Sequence, residues 1–283
     1  MQSPEEFIRT FAAANGVEAE RVEAIGGYAN QMFKLEPHPI VARVAGSASK
    51  VREGDTWLAR EVKLAGYLSR TPAKAVRPSS AFPPGPHKFA KQNVTFWEHL
   101  EIAPRAVTPI ELGSALREIH LHLRDYPGEL PVMGALEETW AILSRNEVTG
   151  RLAAADREIV ARMSDRVRNA LSAREIPLRP LHGDAHHGNL WPTCQGLVWG
   201  DLEDAHLGPV EWDLACMTAS SLVFGNGRAG AAALHAYAQS YDAQLLELLV
   251  VARTLQGIAW SAISLAELDA NARLRKRLDW LAR

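Results

Sequence analysis

The chain has 283 residues, of which 47% are hydrophobic and 23% are charged, and its formal net charge is -2. A chain of this length can bury a large core without disulfide bonds, and its near-neutral charge is not that of a protein attracted to nucleic acid or to an acidic membrane surface. Two cysteines and a first twenty residues without a long apolar run predict a cytoplasmic protein with no membrane partner.

The first hundred residues have the pattern of a small sheet with few helices. A helix is predicted to begin at Pro4, where two glutamates follow in the first turn. Glycine and proline then separate short runs of alternating or apolar residues. The predicted elements are strands at 22–25, 31–35 and 40–44, a helix at 56–68 and a further strand at 91–100.

From residue 108 onward helical patterns dominate the sequence. Apolar residues recur three and four positions apart in five stretches, namely 110–123, 136–144, 157–172, 230–249 and 254–268. Only the polar segment 181–202 interrupts them, with two short strand-like pieces. The sequence therefore predicts an α+β protein of two lobes: an antiparallel-sheet lobe over residues 1–100, a connection at about 97–102, and a larger, mostly helical lobe over 101–283.

The densest chemistry lies at residues 181–215, LHGDAHHGNLWPTCQGLVWGDLEDAHLGPVEWDLA. Asp184, on a glycine-flanked loop, can accept a proton from an attacking hydroxyl. Asn189 and Asp201 offer the hard oxygen ligands that Mg²⁺ prefers, and Mg²⁺ is usually held by few protein ligands together with substrate phosphates. A base, an amide and a carboxylate in this order are the working parts of a phosphoryl-transfer site.

The segments HGDAHHGN and WGDLEDAHLGPVEWDLA resemble those of the aminoglycoside phosphotransferase and choline kinase family, which shares the protein-kinase fold. The resemblance implies an enzyme that uses ATP and Mg²⁺ to move the γ-phosphate to a hydroxyl group of a small molecule. It implies that Asp184 is the catalytic base and that Asn189 and Asp201 hold Mg²⁺. By the same resemblance, Asp213 braces the catalytic loop and His182 supports it.

The N-terminal lobe matches the same family less closely. The residues that would hold the nucleotide, by resemblance, are Gly26, Gly27, Arg43, Glu61, Glu98 and Leu100. The glycines, in the stretch GGYAN, would cover the phosphates, and the backbone of the last two would bind adenine. Arg43 departs from the usual strand lysine; it keeps the charge and can bind phosphate through two N–H groups, but with a different geometry.

One spacing distinguishes between classes of kinase. Asp201 and Asp213 are separated by only eleven residues. A protein kinase has a long activation segment at this place, ending in an Ala-Pro-Glu element, and none is present. The acceptor is therefore expected to be a hydroxylated small molecule rather than a polypeptide.

Several alternatives stay open at the level of sequence. The histidines at 182, 186, 187 and 206 suggest zinc, but no cysteine pair accompanies them. The stretch GNGRAG at 225–230 matches a dinucleotide fingerprint, although a helical pattern precedes it where a strand is required. A nucleotide-binding module without catalysis would also fit the fold, and Arg43 is the feature in its favour.

The choice between a metabolite and an antibiotic acceptor depends on charge. Glu203, Asp204 and Glu211 flank the loop and could receive a cationic aminoglycoside, or they could serve only as solvated and loop-bonding groups. The C-terminal stretch 273–283, RLRKRLDWLAR, is basic, whereas aminoglycoside enzymes of the family tend to end in acidic residues. Antibiotic resistance is therefore one option among several.

Overall fold

A computed structural model of the chain describes residues 3–27, 30–46, 51–52, 54–264 and 271–283. The chain divides into two compact units. The first comprises Met1–Arg105 together with Trp191–Glu203, and the second comprises Ala106–Leu190 together with Asp204–Arg283. A sheet in the first unit and helices in the second confirm the predicted α+β class.

The first unit is built on an antiparallel sheet of five strands in the order β1-β2-β3-β5-β4. Helix α2 follows β3 in the chain, and α1 precedes the sheet. The bounds are α1 Pro4–Ala14, β1 Arg21–Gly26, β2 Gln31–Glu36, β3 Ile40–Val44, α2 Thr56–Leu68, β4 His87–Phe89 and β5 Gln92–Glu98. The predicted strands and helices of this region are thereby confirmed. Strand β4 was not predicted, because three residues are too few to show a strand pattern.

One face of this sheet and α1 enclose an apolar core. Alternate residues of β3, Ile40, Ala42 and Val44, join Ile8 of α1 and the ring of Phe96 in it. Because side chains of a strand alternate between faces, Arg43 of β3 lies on the opposite face of the sheet. The sheet therefore carries the core on one side and a charged residue on the other.

A short hairpin far along the chain also belongs to the first unit, apart from its first residue, Leu190. It consists of β7 Leu190–Thr193 and β8 Gly196–Trp199. Its backbone bonds to earlier residues: Val76 N–H donates to Trp199 O at 2.7 Å, and Ala103 N–H donates to Pro192 O at 2.7 Å. The prediction assigned this hairpin to the C-terminal lobe, because sequence position cannot show hydrogen bonds between distant segments.

The second unit is mainly helical. A small antiparallel pair, β6 Arg179–Leu181 and β9 His206–Gly208, brackets the segment predicted to be the catalytic loop. The helices are α3 Pro109–Leu123, α4 Gly134–Leu143, α5 Asn146–Thr149, α6 Ala154–Ser172, α7 Val210–Phe224, α8 Arg228–Tyr237, α9 Ala243–Ser264 and α10 Ala272–Leu281.

Two predicted helices have wrong boundaries. The stretch 230–249 is not one helix, because α8 ends where Ala238 takes a left-handed φ of 51°. A new helix then begins after Asp242, whose Oδ1 accepts hydrogen bonds from the N–H groups of Gln244 and Leu245. The resulting helix α9 runs unbroken through the predicted boundary near 250, and residues 265–268 of the last prediction lie outside the described residues.

Helix α9 is long and apolar enough to cross a membrane by length and composition alone. It has 22 residues, and its most apolar window has a mean hydropathy of 1.3. Within the protein 61% of that window is buried, and the helix packs against α4, α5, α6, α7 and α10. The apolar composition of α9 is therefore explained by its place as a core helix of the second unit.

The aromatic core of the first unit gives a prediction for stability. Phe96 is fully buried, stacked on Phe11 at 5.2 Å and edge-on to Phe82 at 4.7 Å between ring centroids. Phe96→Ala should lower the free energy of unfolding by about 3–5 kcal/mol, because it leaves a cavity. Urea unfolding measures the change, with Ile25→Ala at an exposed strand position as the control. Equal stabilities of the two variants would contradict this assignment of the core.

Candidate functional site

A buried ion pair joins β3 to α2 in the first unit. Arg43 Nη1 lies 3.2 Å from Glu61 Oε1, and Nη2 makes a second, short hydrogen bond to Glu61 Oε2. The side chains are 8% and 1% exposed. A bidentate pair of this kind fixes the guanidinium in direction as well as position. The predicted association of Arg43 with Glu61 is therefore present in the structure.

The same pair reaches the predicted metal ligand Asp201. Arg43 Nη1 lies 3.4 Å from Asp201 Oδ1, and Leu202 N–H donates to Glu61 Oε1 at 3.2 Å. Asp201 has a φ of 58°, in the left-handed region that non-glycine residues rarely adopt. Residues held in such conformations cluster at ligand sites, because the surrounding contacts must enforce them. The pair thus contacts the Asp201 side chain and the backbone of the residue that follows it.

A further carboxylate, Glu203, joins this group. Its Oε2 lies 3.6 Å from Arg43 Nη2, its Oε1 lies 3.2 Å from Arg52 Nη1, and its backbone oxygen accepts from Arg60 Nη2 at 2.7 Å. Burial would lower the pKa of the Arg43 guanidinium, but the carboxylates, Glu61 first, raise it above its ordinary value. Arg43 is therefore a permanent cation among three acidic residues.

The glycine turn between β1 and β2 requires glycine at one of its predicted positions. Gly26 and Gly27 have φ values of 102° and 124°. A Cβ at Gly27 would lie 1.9 Å from the backbone oxygen of Asn30, so no other residue fits there. Tyr28 and Ala29, which complete the predicted phosphate loop, lie outside the described residues.

The predicted adenine-binding segment follows the end of β5. Glu98 N–H donates to Arg77 O at 2.8 Å, and His99 N–H donates to Pro39 O at 2.9 Å. Glu98 and Leu100 are both half-buried. The N–H groups of Glu98 and His99 are thus already bonded within the protein, and the assignment of the Glu98 and Leu100 backbone to adenine stays a prediction.

In the second unit, one buried carboxylate organises the predicted catalytic loop. Asp213, in the first turn of α7, accepts hydrogen bonds from the N–H groups of His182 and Gly183, each at 2.9 Å. His120 Nε2 lies 2.9 Å from Asp213 Oδ2, and His120 Nδ1 lies 2.9 Å from the Tyr237 hydroxyl. Burial would raise the pKa of Asp213, but its bond to His120 and the nearby histidines hold it below its ordinary value.

The loop turns sharply at Gly183. Its φ is 89°, and a Cβ there would lie 1.9 Å from the backbone oxygen of Asp204. Trp212 Nε1 donates to Gly183 O at 2.8 Å. His182 is fully buried, and its Nδ1 accepts from Asp184 N–H at 3.3 Å. These contacts give His182 and Asp213 the loop-supporting geometry that the resemblance implies.

The carboxylate of Asp184 is held by three side chains. Asn189 Nδ2 donates to Asp184 O at 3.0 Å and to Oδ2 at 3.1 Å, and His186 Nε2 lies 3.3 Å from Oδ2. Arg253, on α9, makes a short ion pair to Oδ1. Burial would raise the pKa of Asp184, but Arg253 and then His186 hold it well below its usual range. The side chain is therefore an oriented, ionised carboxylate.

Arg253 is a site residue that the sequence analysis missed. It stands alone in the apolar stretch VVARTLQGIAW of α9, and a lone charge in such a stretch indicates a buried partner. The partner, Asp184, is 69 residues away in sequence. Glu203 and Arg52 contact each other across 151 residues of sequence, so the sequence gives no signal of their pairing.

Both groups implied by the resemblance fit the residues present. The Nε of Arg43 is a buried donor without a hydrogen-bond acceptor. An oxygen of a bound phosphate could accept this hydrogen bond. The amide nitrogen of Asn189 is committed to Asp184, which leaves its oxygen for a cation. Within the described part of the chain, no three His, Cys, Asp or Glu side chains form a metal cluster.

Comparison with known proteins identifies the family. The model of the phosphotransferase enzyme family matches residues 11–249, and the chain belongs to this family. No curated protein sequence matches the chain. The family assignment confirms the resemblance drawn from the catalytic segment.

Solved structures share the fold at low sequence identity. Amicoumacin kinase hAmiN, in complex with AMP-PNP, Ca²⁺ and Ami, is 15% identical over 99% of this chain and 94% of its own, with a TM-score of 0.74. Choline kinase LicA from Streptococcus pneumoniae is 15% identical over 98% of each chain, with a TM-score of 0.71. The phosphotransferase APH(2'')-IIIa, in complex with GDP and kanamycin, is 13% identical over 98% and 97%, with a TM-score of 0.68. The kinase-like fold is thus established.

The Arg43–Glu61 pair predicts a strong coupling in stability. Arg43→Met or Glu61→Met alone leaves a buried charge without its main partner, so each should lower the free energy of unfolding by about 3–5 kcal/mol. The double variant should lose less than the sum of the two, by roughly 1–3 kcal/mol. Urea unfolding of the four proteins measures the coupling, and additive losses would show that the pair is not energetically linked.

Asp213→Asn should destabilise the second unit. The amide nitrogen would face a backbone N–H that now donates to a carboxylate oxygen, so the expected loss in the free energy of unfolding is about 3–5 kcal/mol. Tyr237→Phe removes only the hydroxyl bonded to His120, and should lower the free energy of unfolding by about 1 kcal/mol.

Because folding lowers the pKa of Asp213, the contribution of this carboxylate to stability is present above a pH of about 4 and is lost as the pH falls further. Unfolding at several pH values should thus show a steeper acid loss in the wild type than in Asp213→Asn.

Proposed function

We propose that the chain is an ATP- and Mg²⁺-dependent kinase that transfers the γ-phosphate to a hydroxyl group of a small molecule. The observation that carries the proposal is the Asp184 carboxylate, ionised and held in direction on a loop whose backbone Asp213 braces. Membership of the phosphotransferase family supports the reaction class. Solved relatives in complex with AMP-PNP and Ca²⁺, and with AMP, support a nucleotide and a divalent cation.

In the proposed reaction, the acceptor hydroxyl donates its hydrogen bond to the Asp184 carboxylate. Its oxygen attacks the γ-phosphorus, the bond from that phosphorus to the bridging β–γ oxygen breaks, and ADP leaves. The hydroxyl proton passes to Asp184 as the new bond forms. A fixed carboxylate contributes mainly by orienting the acceptor, since its low pKa makes it a weak base.

The remaining site residues would serve the nucleotide. Asn189 and Asp201 would hold Mg²⁺, which neutralises charge on the phosphates during transfer. Arg43, kept in place by Glu61, would steady the triphosphate beneath the Gly27 turn. The first unit would then be the nucleotide-binding lobe, and the second would contribute the catalytic loop and the acceptor site. A cytoplasmic location, where ATP is available, is part of the same proposal.

Asp184→Asn is the decisive variant. We expect turnover to fall by about 10²–10⁴-fold, with little change in the affinity for nucleotide, because the lost interaction acts in the transition state. ADP release over a panel of hydroxylated compounds measures turnover, and calorimetry with Mg·AMP-PNP measures binding. Asp165→Asn, an exposed acid on α6, is the matched control.

Asp201→Asn separates the metal role from the base role. This variant should lose the Mg²⁺-dependent part of nucleotide binding, which Asp184→Asn should keep. Full activity of Asp184→Asn would refute its catalytic role. The wild type could instead bind nucleotide without acceptor-dependent ADP release. That result would support the alternative function, a non-catalytic nucleotide-binding module, and Arg43 in place of the usual lysine would be a feature of that module.

A further inference from the structure

The ion pair between Arg253 and Asp184 places a cation beside the proposed catalytic carboxylate. Arg253 Nη2 contacts Asp184 Oδ1, and Nη1 bonds to Oε1 of Gln256, which is buried. The Arg253 side chain is nevertheless 20% exposed. The side chain is thus held by the protein without being wholly enclosed.

A second guanidinium lies one helical turn further along α9. Arg277 of α10 places its guanidinium against Gly257, and a Cβ at that glycine would lie 2.7 Å from Arg277 Nε. Arg277 Nη1 also donates to Ser261 Oγ at 3.3 Å. Because Gly257 is four residues after Arg253, both cations lie along the same side of α9. The absence of a side chain at Gly257 makes room for the second cation.

A third arginine extends the group. Arg273 and Arg277 both stack over the ring of Phe224, with guanidinium carbons 4.9 and 5.3 Å from its centroid. Because Arg277 shares this ring and packs against Gly257, Arg273 lies beside the second cation of the α9 surface that carries Arg253. We refer to Arg253, Arg273 and Arg277 as the arginine cluster.

The local charge of the arginine cluster is positive. Two carboxylates, Asp184 and Asp204, raise the pKa of Arg253 above its ordinary value against the opposing effect of burial. Arg275, on the same helix as Arg273, is instead paired with Asp156. In the part of the chain that the structure describes, no ion pair engages Arg273. Because Asp184 balances the charge of Arg253, the excess positive charge of the cluster lies at Arg273, where it attracts an anion.

We propose that the arginine cluster is the specificity-determining part of the acceptor site, and that the acceptor is a hydroxylated compound carrying a carboxylate or phosphate group. This inference rests on the proposed function, since it names the substrate class of that same site. The acceptor hydroxyl points to Asp184 while its anionic group is bound by the guanidiniums, which match carboxylate and phosphate oxygens with paired N–H donors. An amine at the same place is repelled.

The test is a series of acceptors matched in shape and different in charge. Glucosamine, glucose, glucuronate and glucose 6-phosphate share one ring and carry a cation, no charge, a carboxylate and a phosphate. A three-carbon series, 3-aminopropanol, 1,3-propanediol and 3-hydroxypropionate, repeats the comparison on a smaller scaffold. With Mg·ATP, we expect kcat/KM to be at least about tenfold higher for the anions than for the amines. Comparison of the carboxylate and phosphate compounds shows which of the two anionic groups the site prefers.

Charge reversal provides a readout that mere loss of structure would not give. Arg273→Glu should lower kcat/KM for the anionic acceptors by about tenfold and raise it for the amines. The control is Lys276→Glu, an exposed residue of α10 with the same change of charge, which should leave the order of acceptors unchanged. A preference of the wild type for amines, or an unaltered order in Arg273→Glu, would overturn the inference.

Measurements of anion binding test the inference even if none of these compounds is phosphorylated. Calorimetry on the protein with and without AMP-PNP measures its affinity for glucuronate, glucose 6-phosphate and sulfate, each in the wild type, Arg273→Glu and Lys276→Glu. Anion binding that is weakened only in Arg273→Glu supports the inference, and no anion binding in the wild type overturns it. Failure of the proposed function would appear separately, as absence of Mg·AMP-PNP binding or of any ADP release.

Discussion

A charge that is removed from water must be paired within hydrogen-bonding distance, and this constraint fixes the chemistry-bearing parts of both units. Asp213 is fully buried, and its two oxygens hold the backbone of His182 and Gly183 together with the His120 ring. The loop that presents Asp184 follows directly. Its geometry is therefore set by the need of a buried carboxylate for partners.

The same constraint shapes the first unit. Arg43 lies on the face of β3 opposite to the apolar core, where a cation is tolerable only beside carboxylates. Glu61 supplies the main partner, and through Leu202 N–H it also determines the backbone at Asp201. An arginine at this place can form a bidentate pair that a lysine cannot, so the departure from the family pattern gives a more rigidly held cation.

The sequence predicted much of this arrangement and missed what depended on distant segments. Strand and helix patterns in the first hundred residues were right because glycine and proline separate the short apolar runs, and because α2 has apolar residues at helical spacing. The break between α8 and α9 was missed because it falls at Ala238, a residue that favours helices but has a left-handed φ here. Arg253 was missed because its partner lies on another element.

The sequence by itself determined the reaction class, since the spacing of Asp184, Asn189, Asp201 and Asp213 is local and specific to a phosphotransferase. The tertiary structure alone decided which groups surround one another: Arg253 on Asp184, Glu203 on Arg43, and Arg273 and Arg277 over the ring of Phe224. The physical reason is that hydrogen bonds and ion pairs act over a few ångströms in space, while their partners here are separated by tens of residues along the chain. Local spacing therefore indicates the chemistry, and packing decides which side chains surround it.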